Sequence, residues 1–188
     1  PTILISEVQV SPIVQRFVEL YNPNSTSVDL TGWYLQRKDA NDISWNSFVS
    51  STNFVGKTIS AGGYFLISRE LANSDILLGI TLSDNNSLAL KNPNGDIADQ
   101  TSFGLIDGDK SNCVLDFSAQ GGPASSWQTC SPTPKAQNVI YSAPPAVTLS
   151  SIAITAPATK LVYNIGDSLD ITGLTVTGTY SDNSTKLE

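Results

Sequence analysis

Residues Phe17-Val-Glu-Leu-Tyr-Asn-Pro-Asn24, followed at once by Val28-Asp-Leu-Thr-Gly-Trp-Tyr-Leu35, constrain the fold more than any other part of the chain. Alternation puts Phe17, Glu19 and Tyr21 on one face of a strand and Val18 and Leu20 on the other. The Asn-Pro pair then turns the chain, and Thr31-Gly32 opens a second strand. A period of two bounded by turn residues commits this region to paired strands.

Similar signals recur at short intervals through the first ~140 residues, the spacing of a sandwich. Strands are expected over residues 2–10, 15–21, 32–37, 44–48 and 57–60. Ala61-Gly62-Gly63 is a turn, and Tyr64-Phe-Leu-Ile-Ser68 is a continuous apolar strand expected to be covered on both sides. Residues 69–78 form the single expected helical stretch. Residues 87–90 and 96–103 read as a hairpin closed by Lys91-Asn-Pro-Asn-Gly95, whose turn supplies positive-φ positions. Cys113-Val-Leu-Asp-Phe117 is expected to pair with Ser125-Ser-Trp-Gln-Thr129 across Gly121-Gly122-Pro123.

Three segments follow from this pattern: a β-sandwich domain over 1–138, a Pro/Ala/Ser linker over 139–149, and a second module over 150–188. Ser131-Pro-Thr-Pro134 and Ser142-Ala-Pro-Pro-Ala146 bracket a segment with no core pattern, which reads as an extended, semi-rigid linker. Beyond them, residues 149–155, 160–163, 168–171 and 175–180 resume as short strands. The chain has no Met and opens inside a strand pattern without a signal peptide, so it reads as an excised, mature fragment.

Charge removes several classes of function. The formal net charge is −7, and the nearest approach to a basic cluster, Arg37-Lys38, runs directly into Asp39. Nucleic acid needs several basic side chains against its phosphates, and an anionic membrane surface needs the same. No run approaches the ~20 apolar residues of a membrane span, so membrane insertion is not expected. With no His and two Cys, neither a four-ligand zinc site nor a Ser-His or Cys-His nucleophile can be assembled. No glycine-rich phosphate loop precedes a helix, and no cofactor is expected.

Cys113 and Cys130 have 16 residues between them. An even count in a strand-and-turn chain of secreted character is compatible with one disulfide; two buried reduced thiols are the alternative.

Six motifs occur in order: Ile5-Ser-Glu-Val8, the Phe17 to Asn24 block, Val28-Asp-Leu-Thr-Gly-Trp33, Ile59-Ser-Ala-Gly-Gly-Tyr-Phe65, Leu82-Ser-Asp-Asn-Asn-Ser-Leu-Ala-Leu90, and Ser126-Trp127 followed by Thr133-Pro134. Together they resemble the lamin tail domain, a small immunoglobulin-like β-sandwich found at the end of nuclear lamins and in many secreted bacterial proteins. The resemblance covers about residues 3–138 and is of the bacterial type, with no coiled-coil rod or prenylation box. The Cys pair departs from the family pattern. A second stretch, Leu161-Val-Tyr-Asn-Ile-Gly-Asp-Ser-Leu-Asp170 with Gly173-Leu-Thr-Val and Tyr180-Ser-Asp-Asn-Ser184, resembles the first half of a bacterial immunoglobulin-like repeat. The resemblances imply an all-β fold and a module that holds or binds, not an enzyme.

Four groups of residues are candidates for chemistry. Glu7 and Glu19 on successive strands could form a glycosidase-like carboxylate pair, yet each sits where a carboxylate accepts hydrogen bonds from turn amides. Asp107-Gly-Asp109-Lys-Ser111-Asn112 opens like a calcium loop but lacks Gly at the sixth position and Glu at the twelfth, so a solvated turn is the expectation. Trp33, Tyr34, Trp45 and Trp127 could stack on sugars, but Trp33 and Trp127 read as core anchors. Trp45, set in a polar stretch, is the candidate exposed contact. Asn24-Ser-Thr and Asn85-Asn-Ser are glycosylation sequons wherever the host modifies secreted proteins.

The function expected is a non-catalytic binding or scaffolding module of a secreted or cell-surface bacterial protein, engaging a protein partner or a cell-surface polymer. The alternative is a carbohydrate-binding accessory domain that targets an enzyme elsewhere in the parent chain. Residues 150–188 are expected to be covered by the first domain or by another chain, which makes self-association through this module the further expectation.

Overall fold

The computed structural model describes residues 1–117 and 127–188. Two compact units divide the chain at Ser142/Ala143, within the stretch expected as linker.

In the first unit, the largest sheet is built from β1 (Leu4–Gln9), β2 (Phe17–Tyr21), β7 (Tyr64–Ser68), β8 (Ile76–Leu77), β11 (Ser111–Val114), β12 (Trp127–Ser131) and β13 (Val139–Ile140). Their spatial order is β13-β12-β11-β1-β2-β7-β8. A second sheet joins β4 (Tyr34–Lys38), β5 (Asn46–Val49), β9 (Ser87–Lys91) and β10 (Ile97–Ser102) in the order β10-β9-β4-β5. The short pair β3 (Val28–Asp29) and β6 (Thr58–Ile59) links Val28 with Ile59.

One face of each sheet meets the other across a core that includes Ile5, Val18, Leu20, Trp33, Leu35, Phe65, Ile67, Leu88 and Leu90. The alternation in β2 thus behaves as its sequence dictates, with Val18 and Leu20 facing the core. Phe17, Glu19 and Tyr21 stand on the outer face of the larger sheet. That face is covered too: Phe17, Leu66, Cys113 and Cys130 are buried without belonging to the core between the sheets. The apolar run at β7 is accordingly buried on both sides, Phe65 and Ile67 inward and Leu66 outward.

Turns sit where Gly, Asn and Pro place them. Asn22 is buried, and its Nδ2 donates to the carbonyls of Thr26, Ile59 and Ser60 at 2.9–3.0 Å, fastening the Asn-Pro turn to the β6–β7 corner. The β9–β10 turn closes through Gly95 at φ 87°, with the Gly95 amide donating to the Asn92 carbonyl at 2.9 Å. Gly32, also at φ 87°, lets that turn approach, since a Cβ there would lie 3.1 Å from Pro93 Cβ.

Three expectations need correction. Residues 69–78 are not helical: Leu78, Asp75 and Leu71 spend their amides on the Ser68 carbonyl, the Leu66 carbonyl and Ser68 Oγ, and Ile76–Leu77 then pair in parallel with β7. Local side chain to backbone bonds have displaced the helical ladder. Residues 132–138 do not run free as extended chain. They form the loop of a hairpin in which Val139–Ile140, expected within the linker, pair with Cys130 and Ser131. In the second unit, residues 160–163 and 168–171 form no strands, and β16 takes a place that the strand pattern had not marked.

That second unit holds β14 (Leu149–Ala156), β15 (Thr175–Tyr180) and β16 (Thr185–Leu187) in sequence order. Between β14 and β15, Tyr163 Oη bonds the main chain of Asp170, and Lys160 pairs with Asp167 at 3.0 Å. Gly178 is the one buried residue in 143–188.

Candidate functional site

Glu7 and Glu19 are direct cross-strand partners on the outer face, and both are fully buried. A β-bulge between Ile5 and Glu7 leaves Ser6 beside them. Ser6 Oγ donates to Glu19 Oε1 at 2.9 Å, and Ser111 Oγ on β11 donates to Glu7 Oε1. The remaining lone pairs are met by the loop after β12. Thr133 donates its amide to Glu7 Oε1 at 3.1 Å and its hydroxyl to Oε2 at 3.1 Å, and the Lys135 amide donates to Glu19 Oε2 at 2.5 Å. Asn138, itself buried, donates from Nδ2 to the carbonyls of Ser6 at 3.0 Å and Val114 at 2.8 Å. Lys135 Nζ closes the far end on Asp75 at 2.8 Å.

Loop 132–138 is therefore a strap laid across β11, β1 and β2. Lys135 adopts φ 64°, a left-handed conformation that lets its amide reach the carboxylate. Burial pushes the Glu19 carboxyl up to about 8, against the lowering effect of its hydrogen bonds from Lys135 and Ser6, and Glu7 adds to the rise by repulsion. Glu7 also stands above the ordinary carboxylate range, because burial outweighs the bonds from Ser111 and Thr133. Neighbouring Tyr64 is raised by its own burial and by Glu19. A raised carboxyl pKa is what a general acid needs, but every oxygen of this pair is engaged by the protein.

The other candidates are dispersed. Trp33 is a core residue, 2% exposed, and Trp127 is half-buried and packs against the same core. Tyr34 begins β4, and Trp45 lies half-buried just ahead of β5. These rings do not make one platform. Tyr21 and Phe117 stack with centroids 4.2 Å apart, covering each other's faces instead of presenting them. Asp107 is held by Lys110 at 2.9 Å while Ser111 is turned inward onto Glu7, so the calcium-like sequence does not converge.

The sulfurs of Cys113 and Cys130 are joined, resolving the alternatives left by sequence in favour of the disulfide. The bridge is diagonal: Cys113 pairs with Gln128 and Cys130 with Ser111 across β11 and β12, with the cysteine Cα atoms 5.9 Å apart. Gly121, Gly122, Pro123 and the expected strand start at Ser125 lie outside the described residues.

On the second sheet, β10 and β5 are the two edge strands, and among the described residues β5 has a ladder partner only in β4. Ile43 at the tip of the β4–β5 hairpin is fully exposed, two residues from Trp45. The sequence reading found Trp45 but not Ile43 or the strap contacts of Thr133, Lys135 and Asn138. Its one signal for the strap was Thr133-Pro134.

The family model described as Lamin Tail Domain matches residues 1–104, which include both carboxylates, the β4–β5 hairpin and most of the sandwich. No curated protein matches the chain.

Proposed function

Because the chain belongs to the lamin tail domain family, we propose that its first unit is a non-catalytic interaction module that binds an extended segment of a protein partner along the open edge of β5. The observation that carries this reading is the unpaired edge of β5 beside Ile43 and Trp45. An edge strand offers main-chain donors and acceptors to a partner strand, and flanking side chains select its residues. The disulfide supports placing the parent protein in an oxidising compartment, as a secreted or cell-surface protein. The carbohydrate-binding alternative has weaker support, because the aromatic rings are dispersed or stacked on one another.

A displayed library of random peptides, selected on the full chain, tests the proposal. Extended, β-prone ligands are expected, with affinity falling at least about tenfold on Ile43→Asp or Trp45→Ala at unchanged melting temperature. Ligands indifferent to both substitutions would refute it, and retention on a glycan array would favour the carbohydrate reading.

The second unit, read as an immunoglobulin-like module, supports self-association. Ile152 and Ile154 share one face of its sheet with Val176, and these isoleucines are 64% and 66% exposed. An apolar sheet face of this kind is stable when covered by a second layer.

A further inference from the structure

Among the described residues, the strap is fastened by its bonds to the carboxylate pair and by three flanking polar contacts, Asn138 to the Ser6 and Val114 carbonyls and Lys135 to Asp75, an arrangement that couples its position to the protons on Glu7 and Glu19. We propose that loop 132–138 is a pH-gated latch, closed while the two carboxyls hold at least one proton between them and opened when both ionise. The strands beneath cannot yield easily, since β1 and β2 pair along five registered positions and β2 pairs with β7 along five more. The strap is held instead by Thr133, Lys135 and Asn138, so lifting it is the least costly way to bring water to two adjacent buried charges.

The closed state has a consistent set of hydrogen bonds. A proton on Glu19 leaves Oε1 accepting from Ser6 Oγ and Oε2 accepting from the Lys135 amide, while Glu7 accepts from Ser111 and Thr133. Charged and titratable groups surround the pair. Tyr64 on β7, beside Tyr21 on β2, is held above the ordinary phenol range by burial and by Glu19, so it becomes anionic only at still higher pH and then adds repulsion. The Lys135 ammonium favours ionised Glu19, as the smallest of the effects on that carboxyl, and is itself paired with Asp75 ahead of β8. β11 and β12 present Ser111 and the disulfide, which contribute no charge. The rise of the Glu19 carboxyl to about 8 puts the transition in a mildly alkaline range. Opening exposes the pair to water and loosens the segment that leads from β12 through β13 toward the second unit.

Amide hydrogen exchange on the full chain between about pH 6.5 and 9.5, corrected for the intrinsic base-catalysed rate, reads the latch directly. Protection of the Thr133 and Lys135 amides is expected to fall at least about tenfold while β1 and β2 amides keep theirs, and Glu19→Gln is expected to abolish the change. Constant strap protection, or an equal loss throughout the sandwich, would overturn the proposal. Should the variant not fold, carbon-13 titration of the Glu19 carboxyl in the unmodified chain decides the matter. A shared midpoint for that carboxyl and the Lys135 amide shift upholds the latch, and a Glu19 midpoint in the ordinary carboxylate range refutes it.

Discussion

At the scale of single residues, burial decides what Glu19 does. Its folded-state pKa of about 8 lies above the ordinary 4.5, so the folded state binds the proton more tightly than the unfolded chain. The corresponding stability is fully present below 4.5 and is lost as pH rises through about 8. Urea unfolding should therefore show a decline of about 2–4 kcal/mol between roughly pH 5 and pH 9, and Glu19→Gln should flatten it. A pH-independent stability in the unmodified chain would mean that Glu19 is hydrated. Asn22 is the second residue with an outsized role, because one amide group serves three carbonyls. Asn22→Ala should cost about 2–4 kcal/mol in the same measurement, since the carbonyls it leaves behind are partly buried. That turn was legible from Asn-Pro in the sequence; the number of carbonyls resting on Asn22 was not, because Ile59 and Ser60 lie 37 and 38 residues away.

At the scale of elements, strands whose alternation is matched by a neighbour could be read directly, and elements made by distant partners could not. The chain at β1, β2, β7 and the β9–β10 hairpin displays its own period and its own turn residues. Residues 160–163 and 168–171 have a strand-like period but no ladder partner, so they remain loop. The strap looked like a Pro-rich linker because its fastenings come from Glu7 and Glu19, 126 and 116 positions away, and partly from main-chain amides that no residue type announces. The Glu7 and Glu19 pairing was visible as a juxtaposition, and its structural use was not. The β11–β12 element carries a prediction of its own. Closing a loop of this length removes entropy from the unfolded chain, so reduction or Cys113→Ser with Cys130→Ser should lower stability by about 3 kcal/mol without changing the fold. Calorimetry with and without reductant checks this; an unchanged melting temperature would show that the hairpin is held by its ladder alone.

At the scale of the whole molecule, two units of different character share one chain. The first buries a core between two sheets and covers a third surface with the strap. The second has one apolar sheet face and almost no interior. Sedimentation equilibrium of the full chain should reveal concentration-dependent association, abolished by Ile152→Asp with Ile154→Asp while the melting transition of the first unit stays in place. A monomer at every concentration would contradict self-association through this face. For the first unit, the central claim is that Glu7 and Glu19 hold the sandwich and its strap together and do not act on a substrate. Equilibrium urea unfolding of Glu7→Ala near neutral pH tests this most directly, because the substitution strands the donors of Ser111 and Thr133 together. A single cooperative transition weakened by about 3 kcal/mol is the predicted result. A variant as stable as the parent would contradict the account, since its carboxylate would then be free for another role.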